Sequence, residues 1–181
     1  MAMRQERRPP PPLDAAALDR LALRYVERFA TTRGKLADYL TRKIRERGWD
    51  GEAADPRALA QRMADLGYVD DRLYAESKAA ALGRKGLGAR RVTMALRQAR
   101  VSEADAEDLA PAIAERAAVA ALAFARRKRI GPFGVVTDDR AVRDKQLAAM
   151  LRAGHAFDLS RRIVTARSED ELPGEHADES G

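Results

Sequence analysis

The stretch Ile44-Arg45-Glu46-Arg47-Gly48-Trp49 returns in altered form as Leu96-Arg97-Gln98-Ala99-Arg100-Val101, and again as Met150-Leu151-Arg152-Ala153-Gly154-His155. Each copy has an apolar anchor, three intervening residues and a short pair at which a helical pattern stops. The anchors lie 52 and 54 residues apart. Four residues upstream stand Leu40, Val92 and Gln146, so the apolar register is kept twice and lost once. A period of this length is the mark of a helical repeat. It predicts an all-α chain of three tandem three-helix repeats, over 14–66, 67–113 and 114–166. Such units bury one face among their own helices and stack on their neighbours, which predicts an elongated, curved body.

Around the anchors, apolar residues recur at three and four: Leu18, Leu21, Ala22, Tyr25, Val26 and Phe29, then Leu36, Leu40 and Ile44, then Leu59, Met63 and Leu66. No long run alternates at period two, the signature of a half-buried strand. The pattern predicts nine helices: 14–31, 34–47, 56–66, 71–83, 88–100, 103–113, 115–129, 138–152 and 158–166. Asp14, the Asp55-Pro56 pair and Ser102-x-x-Asp105 read as helix starts. Gly48, Gly67 and Gly83 read as helix ends. Composition agrees: 37 of the 181 residues are alanine and nine are aromatic, which suits thin helix-on-helix seams better than a thick sheet core. With cysteine absent there is no disulfide frame, no thiol nucleophile and no cysteine metal site. No stretch approaches the roughly 20 apolar residues of a membrane span, and no apolar segment follows the basic, proline-rich start, so the expected location is the cytoplasm. Residues 1–13, with four consecutive prolines, and 167–181, acidic and rich in small residues, are expected to be disordered.

The net charge is +6, yet 168–181 holds six acids and no Lys or Arg, so residues 1–167 carry +12. That imbalance predicts a polyanionic partner. Arginine supplies 28 of the 34 cations, and its planar fork suits phosphate and carboxylate contact. The densest cluster is Arg84, Lys85, Arg90, Arg91, Arg97 and Arg100, with no acid between them. Helical spacing sets Arg90 and Arg97 on one face with Arg91 beside them, opposite Val92 and Leu96. The plainer reading is a solvated helix balanced by Glu103, Asp105, Glu107 and Asp108. Lys35, Arg42 and Lys43, with Arg45 and Arg47, offer a second patch, and Arg126-Arg127-Lys128-Arg129 a third. Aromatics do not interleave with these cations, so backbone contact that ignores sequence is expected over base stacking. The acidic tail would compete with DNA for the basic body.

Two further segments are more specific. Leu66-Gly67-Tyr68-Val69-Asp70-Asp71-Arg72-Leu73-Tyr74-Ala75 reads as a turn between helices: Gly67 reverses the chain, Tyr68 and Val69 enter the core, Asp70 or Asp71 caps the next helix, and Tyr74 and Ala75 begin its buried face. Arg84-Lys85-Gly86-Leu87-Gly88-Ala89-Arg90-Arg91-Val92 reads as a flexible corner, Gly86 to Gly88, opening a basic helix. In this order, the two resemble the RecX family of regulatory proteins that modulate the RecA recombinase. The resemblance covers about residues 14–165. Arg100 departs from it where a glycine is usual, and His155 where an aromatic is usual. It implies a non-enzymatic protein that binds RecA filaments on DNA and limits ATP-linked strand exchange or filament growth; a monomer without a cofactor is the accompanying expectation.

Other chemistry has little support. Asp70 and Asp71 are adjacent at a helix start and diverge, so capping is favoured over a metal or acid/base pair. His155 and His176, the two histidines, have no nucleophile or ligand set beside them. Gly86-Leu87-Gly88 follows a helix rather than a strand and lacks the remainder of a phosphate-binding loop. Trp49 reads as a plug closing the first unit. The competing function is a helix-turn-helix transcription regulator reading DNA with 88–100. An arginine-rich face with few amides or hydroxyls argues for phosphate contact instead.

Overall fold

The computed structural model describes residues 11–172, and within them every regular element is helical. The helices are α1 Ala15–Arg28, α2 Arg33–Arg47, α3 Pro56–Asp65, α4 Asp71–Arg84, α5 Ala89–Gln98, α6 Glu103–Asp108, α7 Ala110–Glu115, α8 Ala117–Lys128, α9 Arg140–Arg152 and α10 Phe157–Thr165, with short 3-10 turns at Gly131–Phe133 and Glu169–Glu171. The expected helix over 103–113 is two helices, because Pro111 has no N–H to continue the ladder and disfavours helical backbone just before it. The first helix stops at Arg28, three residues early, and Phe29 is exposed. Thr32 then caps α2, its hydroxyl accepting from Lys35 N at 3.2 Å. The other starts are as the residues suggest: Asp14 accepts from Ala17 N at 2.6 Å, and Asp55 from Arg57 N and Ala58 N. Ser102 accepts from Asp105 N, while its own hydroxyl donates to the Asp105 carboxylate, so the capping box closes through the hydroxyl.

The chain forms two compact units that divide between Tyr74 and Ala75, inside α4. In the first, α1, α2 and α3 close over Leu13, Leu18, Ala22, Leu36, Leu40, Leu59, Met63 and Val69. Leu13 is fully buried and thus does not belong to a disordered leader. Its N–H donates to Gly48 O at 3.0 Å and its carbonyl accepts from Asp50 N at 2.9 Å, beside the half-buried Trp49. Trp49 packs on this core and its indole N–H donates to Glu52 O. In the second unit, Ala121, Leu122, Phe124, Ala125, Ile130, Met150, Ile163 and Val164 form the core among α8, α9 and α10. Leu172 packs against that core, and Glu169 lies 3.5 Å from Arg126, so order extends past 167 into the acidic segment. The apolar anchor of Leu172 outweighs the polar residues around it. The rest of both expected disordered ends, 1–10 and 173–181, falls outside the described residues.

Candidate functional site

The Gly86–Gly88 corner is built by contact, not left flexible. Helix α4 runs through Gly83, so the left-handed residue that ends it is Gly86, at φ +70°, with Leu87 N donating to Leu82 O. Gly88 starts α5 where the backbone meets the turn after α9. A Cβ on Gly88 would lie 2.3 Å from Gly154 C, and one on Gly154 would lie 2.6 Å from Arg91 N. In place of side chains, Gly88 N donates to Ala153 O at 2.9 Å and Arg90 N to Gly154 O at 3.2 Å. The second bond satisfies one of the N–H groups that the first turn of a helix leaves unpaired. Behind the junction His155 is buried, its Nε2 3.2 Å from Gly86 O and its ring 5.4 Å from that of Phe124. A carbonyl only accepts, so Nε2 carries the proton and Nδ1, which has no partner, does not. Burial pushes this imidazole below its ordinary pKa, against the opposing pull of Gly86 O. The departure at Arg100 is absorbed locally: Arg100 takes the left-handed conformation itself, φ +59°, as do Gly48 and Gly154 at the matching positions.

This junction fixes where α5 presents its cations. Arg84, Lys85, Arg90, Arg91 and Arg97 are exposed, and among the described residues none of the five is in an ion pair. The acidic helix α6 therefore does not neutralise them. Arg100 is exposed but is engaged with another residue. Not all six share one face. Arg91 turns towards α9, its Nε donating to Arg152 O at 2.9 Å, away from Arg90 and Arg97. The basic run that ends α8 is tied to the Gly86 corner, since Arg127 donates to Lys85 O at 2.6 Å. Arg91, Lys128 and Arg152 line one cleft of about 660 Å³ with Leu87, Met94 and Phe124. The sequence pattern did not single out Arg152 or Met94, because neither sits in a charge run and only the packing of α9 against α5 sets them side by side.

The first unit's patch is partly spent on itself. Glu46 lies 2.6 Å from Lys43 Nζ and 3.6 Å from Arg42 Nε, and the Lys43 ammonium lowers its carboxyl pKa. Lys35 donates to the Tyr74 hydroxyl at 3.3 Å and sits over its ring. The Gly67 turn is left-handed at φ +80° and buries Val69, but Tyr68 is about half exposed instead of entering the core. A helix that reverses at Gly67 has one inward slot before α4, and Val69 fills it. The paired aspartates divide their work. Asp70 caps α4 through Leu73 N, whereas Asp71 turns to the start of α2, accepting from Arg33 N at 2.8 Å and from Arg33 Nε at 3.2 Å. No group of three or more metal-ligating side chains converges among the described residues. No helix there is long and apolar enough to cross a membrane.

Residues 70–109, from just before α4 to the end of α6, match the family model described as RecX, second three-helix domain. Over 156 residues the chain is 33% identical to the Regulatory protein RecX of Myxococcus xanthus (strain DK1622), covering 81% of this chain and 83% of that protein. The chain belongs to the RecX family. A second RecX relative, the Regulatory protein RecX of Agrobacterium fabrum (strain C58 / ATCC 33970), is 28% identical over 154 residues, 82% of each protein. No solved structure matches. Both the Asp70-Asp71 turn and the Gly86–Gly88 corner lie inside the matched RecX segment, whereas their partners Arg33, Gly154 and His155 lie outside it.

Proposed function

We propose that this RecX-family protein regulates RecA by binding its filaments on DNA, restraining ATP hydrolysis, filament growth and strand exchange without performing chemistry itself. In this reading it acts in the cytoplasm, as a monomer of three helical triplets over 14–66, 67–113 and 114–166, with no cofactor. One observation carries it: Arg84, Lys85, Arg90 and Arg97, which have no ion pair among the described residues, stand exposed along a corner and helix whose start is locked by Gly88 and Gly154. Cations held on rigid backbone suit a repeating polyanion, and contact of this kind is salt-dependent and blind to base sequence. Lys35, Arg42 and Lys43 add a weaker basic surface in the first unit. A transcription regulator reading bases is less favoured, since the outer face of α5 carries Arg90 and Arg97 with one hydroxyl, Thr93, between them, where base-edge recognition calls for several amides and hydroxyls.

The test is sedimentation of the protein with RecA filaments on single-stranded DNA, beside RecA ATP hydrolysis. Filament-dependent binding that slows hydrolysis supports the proposal. Tight binding to one palindromic duplex without RecA would replace it with the transcription-regulator reading.

A further inference from the structure

The cleft between α5, α8 and α9 differs in kind from the outer cationic face. Its floor is apolar, formed by Leu87, Met94 and Phe124, and Met94 is 45% exposed, while Arg91, Lys128 and Arg152 stand at its margin. Among the described residues no carboxylate lines it. Among the described residues, neither Lys128 nor Arg152 is in an ion pair, so this rim charge is uncompensated. Phosphate contact has no use for an apolar floor. Nor can a base stack here, because the floor's aromatic, Phe124, is only 8% accessible. An apolar slot with cations around it instead complements an amphipathic peptide whose Leu or Phe anchors enter the slot and whose Asp or Glu residues meet the rim. Methionine in the floor suits such a role, since its flexible side chain adapts to the anchor.

We propose that this cleft is a docking site for an acidic, apolar-anchored protein segment, separate from the phosphate-binding face of Arg90 and Arg97. The inference deepens the proposed function, on which it rests in one respect: the segment would be supplied by the filament protein. The cleft then grips protein while the outer face of α5 grips DNA.

Fluorescence anisotropy tests it on the full chain with three labelled helical peptides: one with a Leu/Phe stripe flanked by Glu, one with those Glu residues changed to Lys, and one with the stripe changed to Ser. A labelled oligo-dT strand is the fourth probe. The first peptide is expected to bind, perturbing the Met94 methyl resonance, and the other two to bind at least about tenfold more weakly. Met94→Glu and the double variant Lys128→Ala/Arg152→Ala should each weaken the first peptide about tenfold, and the double variant should leave oligo-dT binding within about twofold because Arg90 and Arg97 hold the strand. Circular dichroism confirms that both variants fold, and the rim variant keeps the test open should Met94→Glu not do so. Absence of peptide binding, equal binding of all three peptides, or displacement of the peptide by oligo-dT overturns the proposal. Pull-down of RecA separates the two readings. A chain that binds the acidic peptide but not RecA keeps the cleft and loses the filament function. If Met94→Glu and the rim variant capture RecA undiminished, RecA binding stands and the cleft proposal falls.

Discussion

Gly88 and Gly154 meet backbone to backbone, with a Cβ on Gly88 placed 2.3 Å from the carbonyl carbon of Gly154. The contact joins the start of the basic helix to the end of α9 and explains why glycine stands at both places. Gly88→Ala must push two backbones apart and is expected to cost about 3 kcal/mol or more. Gly83 is the control. It lies inside α4 with nothing within 4 Å of where a methyl would stand, so Gly83→Ala should stabilise the fold by about 0.5–1 kcal/mol. Urea denaturation of the two variants measures both, and equal shifts of one sign would refute the packing argument.

Asp71 is a second tertiary constraint. It is buried and takes both the backbone N–H and Nε of Arg33, which also donates to Gln61 at 2.9 Å. Asp71→Ala leaves the α2 N–H and a half-exposed guanidinium without their acceptor, an expected loss of about 2–3 kcal/mol. Asp71→Asn retains an oxygen for the N–H and should lose about half as much. Asp70→Ala, which removes only a cap, should cost about 1 kcal/mol. The order of the three melting temperatures is the measurement.

His155 links stability to pH. Burial lowers its pKa in the fold, whereas the unfolded chain titrates near 6.5. Above that value the imidazole is neutral in both states and contributes no pH dependence. As pH falls through 6.5 the unfolded state takes up a proton that the fold resists, so stability declines until the lowered folded pKa is reached. Thermal melts at pH 7.5 and 5.5 should show a decrease in the parent and a smaller one in His155→Phe, whose ring can keep the contact with Phe124. Identical decreases would mean that another group titrates.

Replacing Arg90, Arg91 and Arg97 together with Ala should weaken filament binding at least about tenfold and flatten the slope of log affinity against log salt by about 1.5–2, because Arg90 and Arg97 face phosphate while Arg91 faces the cleft. Helicity should be unchanged, because Arg90 and Arg97 are exposed and Arg91 gives up a single surface hydrogen bond, to Arg152 O, in exchange for a good helix former. Undiminished inhibition of RecA by the triple variant would remove α5 as the contact surface.

The helical class, the caps at Asp14, Asp55 and Ser102, and the left-handed ends at Gly48 and Gly67 follow from the sequence by itself, because each depends on residues within about one helical turn. So does the dense basic cluster of Arg84–Arg97. Only the tertiary structure decided that Asp71 serves α2 while Asp70 serves α4, that Gly88 is confined by Gly154, and that Arg91 leaves its neighbours for the cleft of Lys128 and Arg152. Those outcomes depend on approaches between segments 38 to 69 residues apart, such as Arg33 with Asp71 and His155 with Gly86. Local periodicity carries no information on which segments pack together. It shows which side of a helix is apolar, and the partner that covers that side then sets each charge on its final surface.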